Sequence, residues 1–241
     1  MKHENLKQGA LEMVVEKKQH PWRVCPLGEH YVREHPRQTK HTVTTVHAYC
    51  RENKSKKEIL TSLEIKEIYE RNKNKIKIFP NKSKNIKENN FDDMIALWTQ
   101  FWNEVLKPSE PLDPNWVKTL IYTESNFNEN SLNKNDPKNP AKGLMQITKA
   151  THKIITNSKG ELKDICFDTD EKENYDPNVS IAMGTRWLFR KKELLKSRLK
   201  KGPTWEEAIW EYKGIYNDES KTAEKIKAKT RKYYEETANN N

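Results

Sequence analysis

Apolar side chains recur at helical spacing in the second half of the chain. Phe91, Ile95, Trp98, Trp102 and Val105 are separated by four, three, four and three residues, which places them on one face of a helix. A proline follows three residues after the last of them, and we expect the helix to end before it. The pattern predicts an amphipathic helix.

Capping residues predict the starts of further helices. The Asp-Pro pairs at 113–114 and 176–177 each combine an N-cap with a first-turn proline. Thr204 and Glu207 have the spacing of a capping box, which precedes the segment WEEAIWEY. The segment SKTAEKIKAKTRKYYEE also has a helical pattern but is strongly charged. Helices are therefore predicted to dominate the second half.

The first 90 residues have a different pattern. Alternation in TVTTV and VHAYC predicts short strands, and KKEILTSLEIKEIYE predicts a helix of about three turns. RNKNKIKIFPNKSKNIKENN, residues 71–90, is rich in Lys and Asn and has the composition of a linker. We predict a small basic α+β module over residues 1–70, a linker over 71–90 and a mainly α domain over 91–241.

Composition places the core in the second half and favours anionic partners. Hydrophobic residues make up 34% of the chain, and six of the seven Trp follow residue 90. No apolar run reaches the roughly 18 to 20 residues of a membrane span, so no membrane-spanning helix is predicted. The net charge of +10 suits nucleic acid, membrane surfaces or acidic cell-wall polymers, and a solvated lysine-rich surface explains it equally well.

A carboxylate interrupts the apolar stripe of the helix that starts at Pro114. Val117, Leu120 and Ile121 occupy positions i, i+3 and i+4, and Glu124 takes position i+7. A buried charge is costly, so such a carboxylate is usually paired or holds its proton near neutral pH. Glu124 is therefore a candidate proton donor at a cleft, and an ion pair with Lys or Arg is the structural alternative.

Four short blocks follow one another in the second half. They are ES at 124–125, GLMQIT at 143–148, DPNVSIAMGTRWL at 176–188 and WEEAIWEYKG at 205–214. In this order they resemble the soluble lytic transglycosylase (SLT) family of lysozyme-like enzymes that cleave peptidoglycan. The resemblance covers residues 113–216 and implies a mainly α, lysozyme-like (α+β) catalytic domain.

The resemblance also implies the roles of individual residues. Glu124 is implied to be the single catalytic acid and base, and Tyr212 the tyrosine whose hydroxyl lies close to it. Residues implied to bind the glycan are Ser125, Asn133, Gly143, Leu144, Met145 and Gln146. Packing in the core is the structural alternative for Met145, Gln146 and Tyr212.

Several positions depart from the family pattern. Asn133 stands where the family usually has Ser, Ser180 where Asn is common, and Trp187 where Tyr is frequent. The segment KNDPKNP is an insertion before GLMQ. YKG at 212–214 replaces the family's YNAG, and the nearby Tyr216 offers a second alignment of the tyrosine.

The implied reaction cleaves the MurNAc-GlcNAc β-1,4 bond and forms 1,6-anhydroMurNAc, with Glu124 acting first as acid and then as base. A family-type enzyme needs no cofactor. Two alternatives stay open: a goose-type lysozyme-like hydrolase, and a non-catalytic cell-wall-binding or scaffold protein with a decayed site.

The implied partner, peptidoglycan, lies outside the cytoplasm, in the periplasm or cell wall. The start of the chain, MKHENLKQGALEMVVEKKQH, lacks the apolar segment of a secretory signal. We therefore expect delivery by a secretion system, release with a phage lysis partner, or loss of a leader. Nucleic acid is not expected as the partner.

The first module gathers cysteines and histidines. Cys25, His30, His47 and Cys50 are weak zinc candidates, although their spacings match no standard zinc finger. A disulfide between Cys25 and Cys50 is a second interpretation if the protein reaches an oxidising compartment, and free or buried thiols are a third. The predicted hairpin suits glycan, nucleic acid or a delivery partner equally.

Overall fold

Helices dominate the part of the chain that the structure describes, residues 22–54, 58–162 and 165–239 of a computed structural model. The helices are α1 (Ser62–Asn72), α2 (Asp92–Leu106), α3 (Pro114–Ser125), α4 (Lys149–Ile155), α5 (Pro177–Leu199), α6 (Trp205–Tyr212) and α7 (Lys221–Ala238). The mainly α fold class is therefore confirmed. No helix within these ranges combines the length and apolar character needed to cross a membrane.

Short strands complete the fold and lie mostly in the first module. They are β1 (Glu29–Val32), β2 (His35–Gln38), β3 (Val43–Val46), β4 (Tyr49–Glu52), β5 (Glu58–Thr61), β6 (Leu132–Asn133), β7 (Ala141–Lys142), β8 (Ile147–Thr148) and β9 (Ile165–Asp168). β1 pairs with β4 and β2 with β3, both antiparallel, and β6, β7 and β8 form a small antiparallel sheet.

The predicted helix caps are confirmed. The Asp113 side chain accepts a hydrogen bond from the backbone of Asn115 at the start of α3, and Asp176 caps α5 in the same way. Thr204 and Glu207 form the capping box of α6, in which each side chain accepts a backbone N–H of the other residue. Helix α2 ends at Leu106, before Pro108, as predicted.

Helix α5 is the centre of the core and packs against α1, α2 and α6. All residues from 178 to 189 are buried, so its first half is enclosed on every side. Trp98, Phe101 and Trp102 of α2 pack in the same core, and the Trp102 indole donates to the backbone oxygen of Ala182 at 2.9 Å. The aromatic residues concentrated after residue 90 therefore build this core.

Residues 58–72 differ from the helix predicted over KKEILTSLEIKEIYE. Residues 58–61 form β5, which pairs in parallel with β9 and sets Leu60 opposite Phe167. Thr61 then caps α1 by accepting a hydrogen bond from the backbone of Glu64. Leu60 and Ile65 enter the core shared with α2 and α5. A strand partner more distant in the chain overrides the local helical pattern here.

Buried side chains hold the Lys-rich and Asn-rich segment against the helices. Lys118 of α3 donates to the backbone oxygen of Asn81 at 2.9 Å and pairs with Asp92 at 2.8 Å. Tyr233 of α7 donates to Glu88 at 2.7 Å. The segment is thus packed along α3 and α7, while the limits of independently folding domains stay a prediction.

A disulfide links Cys25 and Cys50 across the first module. Because a disulfide leaves no thiolate to bind a metal, the zinc interpretation of Cys25, His30, His47 and Cys50 is wrong. The two histidines bond instead to neighbouring side chains of this module. Within the described residues, no group of three or more His, Cys, Asp or Glu could hold a metal ion.

Candidate active site

Helix α3 carries Glu124 at its C-terminal end. Val117, Leu120 and Ile121 are fully buried, so the predicted apolar stripe is confirmed. Asn126, the C-cap, adopts a left-handed φ of 52°, which ends the helix at Ser125, one residue after Glu124. The Glu124 side chain is 15% exposed and therefore lies at the edge of the core.

Lys213 forms an ion pair with Glu124. Its Nζ lies 2.7 Å from Glu124 Oε1 and 3.2 Å from the backbone oxygen of Thr123, and the lysine side chain is 9% exposed. Lys213 is the C-cap of α6, and the packing of α6 on α3 brings the two helix ends together. The ammonium offsets both the carboxylate and the negative end of the α3 dipole. A carboxylate on an apolar stripe was expected either to be paired or to hold its proton, and in this structure Glu124 is paired.

Tyr212 lies beside this pair. Its hydroxyl donates to the backbone oxygen of Met145 at 2.7 Å. Burial raises the pKa of Tyr212 well above its usual value, and the charge of Glu124 raises it further, so the hydroxyl stays a neutral donor. Tyr216, the other tyrosine in this region, bonds to Glu207 instead. Tyr212 is therefore the tyrosine whose surroundings include Glu124.

The GLMQ block forms a tight turn. Gly143 has a φ of 75°, and a Cβ atom there would lie 1.8 Å from the backbone oxygen of Asn174, so a larger residue does not fit. Gln146 also has a positive φ, of 48°. Its side-chain amide donates to the backbone oxygens of Gly143 at 2.9 Å and Ser131 at 3.2 Å. In this structure the amide of Gln146 therefore holds the turn together.

The middle of the turn docks on α5. The Leu144 and Met145 side chains are fully buried and pack in the core. The Met145 backbone N–H donates to Ser180 Oγ at 3.2 Å, and a Cβ on Gly184 would come within 2.6 Å of the Met145 Cβ. Gly184 therefore makes room for Met145, and residues 143–147 of the turn are all buried.

The side chains of Ser125 and Asn133 form local hydrogen bonds. Ser125 is buried, and its hydroxyl donates to the backbone oxygen of Ile121 within α3 at 3.2 Å. Asn133 is exposed on β6, and its side-chain oxygen accepts a hydrogen bond from the backbone of Asn135 at 2.9 Å. The structure thus brings together Glu124, Tyr212 and the GLMQ turn, while these two residues bond locally.

A cavity of about 720 Å³ lies between residues 83–88 and α7. Its lining includes Tyr122, which stacks on Tyr233 with ring centroids 3.9 Å apart. Tyr122 and Glu124 are two residues apart in α3, and helix geometry directs such side chains to different faces. This cavity is therefore separate from the candidate site.

Sequence reasoning assigned no role to Lys213. The signal was present in the block YKG, where a cation replaces the Asn of the family motif and directly follows Tyr212. The resemblance places Tyr212 near Glu124, so a lysine directly after Tyr212 can pair with the Glu124 carboxylate. The pairing also required the approach of two helix ends, which local patterns do not reveal.

Comparison with protein families identifies a match. The sequence model of the transglycosylase SLT domain matches residues 104–235, more than half of the chain. Comparison with curated proteins and with solved structures gave no match. The matched range contains α3, the GLMQ turn, α5 and α6, and so includes Glu124, Lys213 and Tyr212. The chain therefore belongs to the transglycosylase SLT domain family, a lysozyme-like family of peptidoglycan-acting enzymes.

Proposed function

We propose that this protein is a peptidoglycan lytic transglycosylase and that Glu124 is its single general acid and base. The observation that carries the proposal is the contact between family blocks at the end of α3. There Tyr212 lies beside Glu124 and donates to the Met145 carbonyl of the GLMQ turn. Family membership supplies peptidoglycan as the class of substrate.

The proposed reaction moves one proton through Glu124. The protonated acid donates to the oxygen between MurNAc and GlcNAc while the bond from this oxygen to C1 of MurNAc breaks. The N-acetyl group of MurNAc stabilises the positive charge that develops at C1. The carboxylate then accepts the proton of the C6 hydroxyl, whose oxygen bonds to C1. The product carries a 1,6-anhydro ring, no water is consumed, and Glu124 regains its proton.

Tyr212 supports this chemistry as a positioning residue. Its neutral hydroxyl is committed to the Met145 carbonyl, so it fixes the GLMQ turn relative to the end of α6. Lys213 follows it directly and is held in the same place. In the family the GLMQ turn lines the glycan. The hydrogen bond from Tyr212 to Met145 therefore helps to set the distance between Glu124 and this turn.

The ion pair also supports a second function, that of a non-catalytic cell-wall-binding protein. The first step requires a protonated acid, whereas Lys213, at 2.7 Å, stabilises the carboxylate. Lys213 stands where the family motif has Asn, which carries no charge. If the ion pair were permanent, Glu124 would stay a carboxylate and could not act as an acid. In that case the glycan would bind and no soluble fragments would form.

Digestion of purified sacculi separates these functions. We expect the wild type to release fragments with the mass of anhydroMurNAc ends, and Glu124→Gln to release none while keeping its circular dichroism spectrum. Glu219→Gln, which changes an exposed carboxylate in the loop before α7, is the matched control and should cleave normally.

Three results would change the assignment. Undiminished release by Glu124→Gln would refute the role of Glu124. Fragments with reducing MurNAc ends would indicate the goose-type hydrolase, because water then replaces the C6 hydroxyl. Binding of the wild type to sacculi without any release would indicate the wall-binding function.

A further inference from the structure

Lys213 lacks a counter-ion whenever Glu124 holds the proton that it must donate. Its Nζ contacts Glu124 Oε1 and the backbone oxygen of Thr123. Among the described residues, Glu124 is the one carboxylate within ion-pair distance of Lys213. The free pair is neutral, but a protonated Glu124 leaves a full positive charge at the site.

The surroundings of Lys213 disfavour an ammonium without a partner. The Lys213 side chain is 9% exposed, so water replaces a missing partner only in part. The C-terminus of α3 offers about half a negative charge, which is less than the carboxylate supplies. An anion from outside the protein would remove this penalty.

We propose that Lys213 is a substrate-specificity residue that binds a carboxylate of the peptidoglycan strand next to the cleaved bond; the inference rests on the proposed function of Glu124. Transfer of the ammonium from Glu124 to the substrate carboxylate leaves Glu124 free to hold a proton. The site therefore becomes competent only when a carboxylate-bearing strand is bound.

Peptidoglycan offers this carboxylate in two places. MurNAc units that lack a peptide carry a free lactyl carboxylate, and the peptide stems of other units carry carboxylates of their own. Lysine suits such an exchange, because its ammonium is a compact charge on a flexible four-carbon stem that can move between two anions. The Asn of the family motif has no charge to transfer, so the preference belongs to Lys213.

Matched substrates test the proposal and identify the carboxylate. We compare intact sacculi with strands stripped of peptides, each before and after its carboxylates are converted to neutral methylamides. The wild type should cleave the charged form at least about tenfold faster in kcat/KM, the effect of one charged hydrogen bond. The pair of substrates that shows this loss identifies the source, lactyl group or stem.

Variants of Lys213 assign the preference to this residue. Lys213→Asn should cleave charged and neutral strands at similar rates, and Lys213→Arg should retain the preference for charged strands. Circular dichroism verifies the fold of each variant. Equal cleavage of charged and neutral strands by the wild type would overturn the proposal, and so would a preference that survives in Lys213→Asn.

A binding assay separates this proposal from the proposed function. Glu124→Gln removes the internal partner of Lys213, so it should bind charged strands at least about tenfold more tightly than neutral ones. The double variant Glu124→Gln, Lys213→Asn should bind both alike. Selective binding without wild-type cleavage would overturn the catalytic function and support the carboxylate site. Cleavage of charged strands by Lys213→Asn but not by the wild type would overturn the carboxylate site, because Lys213 would then only inhibit Glu124.

Discussion

The buried pair of Lys118 and Asp92 allows a prediction of stability. Their side chains are 0% and 1% exposed, and Lys118 Nζ lies 2.8 Å from Asp92 Oδ1. The same ammonium donates to Asn81 O at 2.9 Å and Asn89 Oδ1 at 2.7 Å. Burial raises the pKa of Asp92 and lowers that of Lys118, while their mutual attraction opposes both shifts. Each charge therefore depends on the other.

Lys118→Met removes the ammonium and retains most of the side-chain volume. Breaking a buried ion pair from one side costs about 3–5 kcal/mol, because the remaining charge is left uncompensated. Lys82 still lies 3.1 Å from Asp92 Oδ2, but its side chain is 71% exposed and compensates only in part. We expect a loss of about 3 kcal/mol in the free energy of unfolding. For a chain of this length, that lowers the midpoint of thermal unfolding by roughly 6–12 °C.

Urea unfolding followed by tryptophan fluorescence measures this loss by linear extrapolation. Lys82→Met is the matched control and should cost less than about 1 kcal/mol, as for an exposed pair. The double variant Asp92→Asn, Lys118→Met should recover part of the stability, because neither position then carries an uncompensated charge. A Lys118→Met protein within about 1 kcal/mol of the wild type would refute the reasoning.

Three further changes test other parts of the fold. Gly143→Ala should lower the thermal midpoint through a loss of at least about 1–3 kcal/mol, since its φ is 75° and its Cβ would meet a backbone oxygen at 1.8 Å. Reduction of the Cys25–Cys50 disulfide, which spans 25 residues, should cost about 3.5 kcal/mol in urea unfolding. Burial lowers the pKa of His152, so the folded state resists protonation and stability should fall as the pH drops below about 6.5 towards the lowered pKa. Urea unfolding at pH 7.5 and pH 5.5 should show a smaller fall for His152→Gln.

Each of these changes has its own control. A Cβ on Gly202 meets nothing within 4 Å, so an equal loss in Gly202→Ala would contradict the steric argument for Gly143. The double variant Cys25→Ala, Cys50→Ala should match the reduced protein, and further sensitivity to dithiothreitol would place the effect elsewhere. An unchanged pH dependence in His152→Gln would show that other groups control the loss at low pH.

Local patterns were enough to predict the helix that carries the candidate acid. The Asp113 cap bonds to a residue two positions along, and the stripe of Val117, Leu120 and Ile121 repeats within one turn. These interactions join near neighbours in the chain, so the sequence contains them directly. The place of Glu124 on the apolar stripe followed from the same spacing.

Contacts between distant segments were outside the reach of these patterns. Residues 58–61 have the local pattern of a helix, yet they form a strand because β9 pairs with them. The segment 71–90 has the composition of a linker, yet Lys118 and Tyr233 bind it along the helices. In both cases the deciding partner lies on another element, and only packing brings it near.

The sequence by itself determined the helical class, the helix caps, the order of the family blocks and the exceptional position of Glu124. The tertiary structure decided that Cys25 bonds to Cys50, that Glu124 pairs with Lys213 and that Tyr212 meets the GLMQ turn. These contacts join residues 25 to 89 positions apart. Because the ends of α3 and α6 meet only after both helices pack on the core, charge pairing at the site is a property of the folded chain.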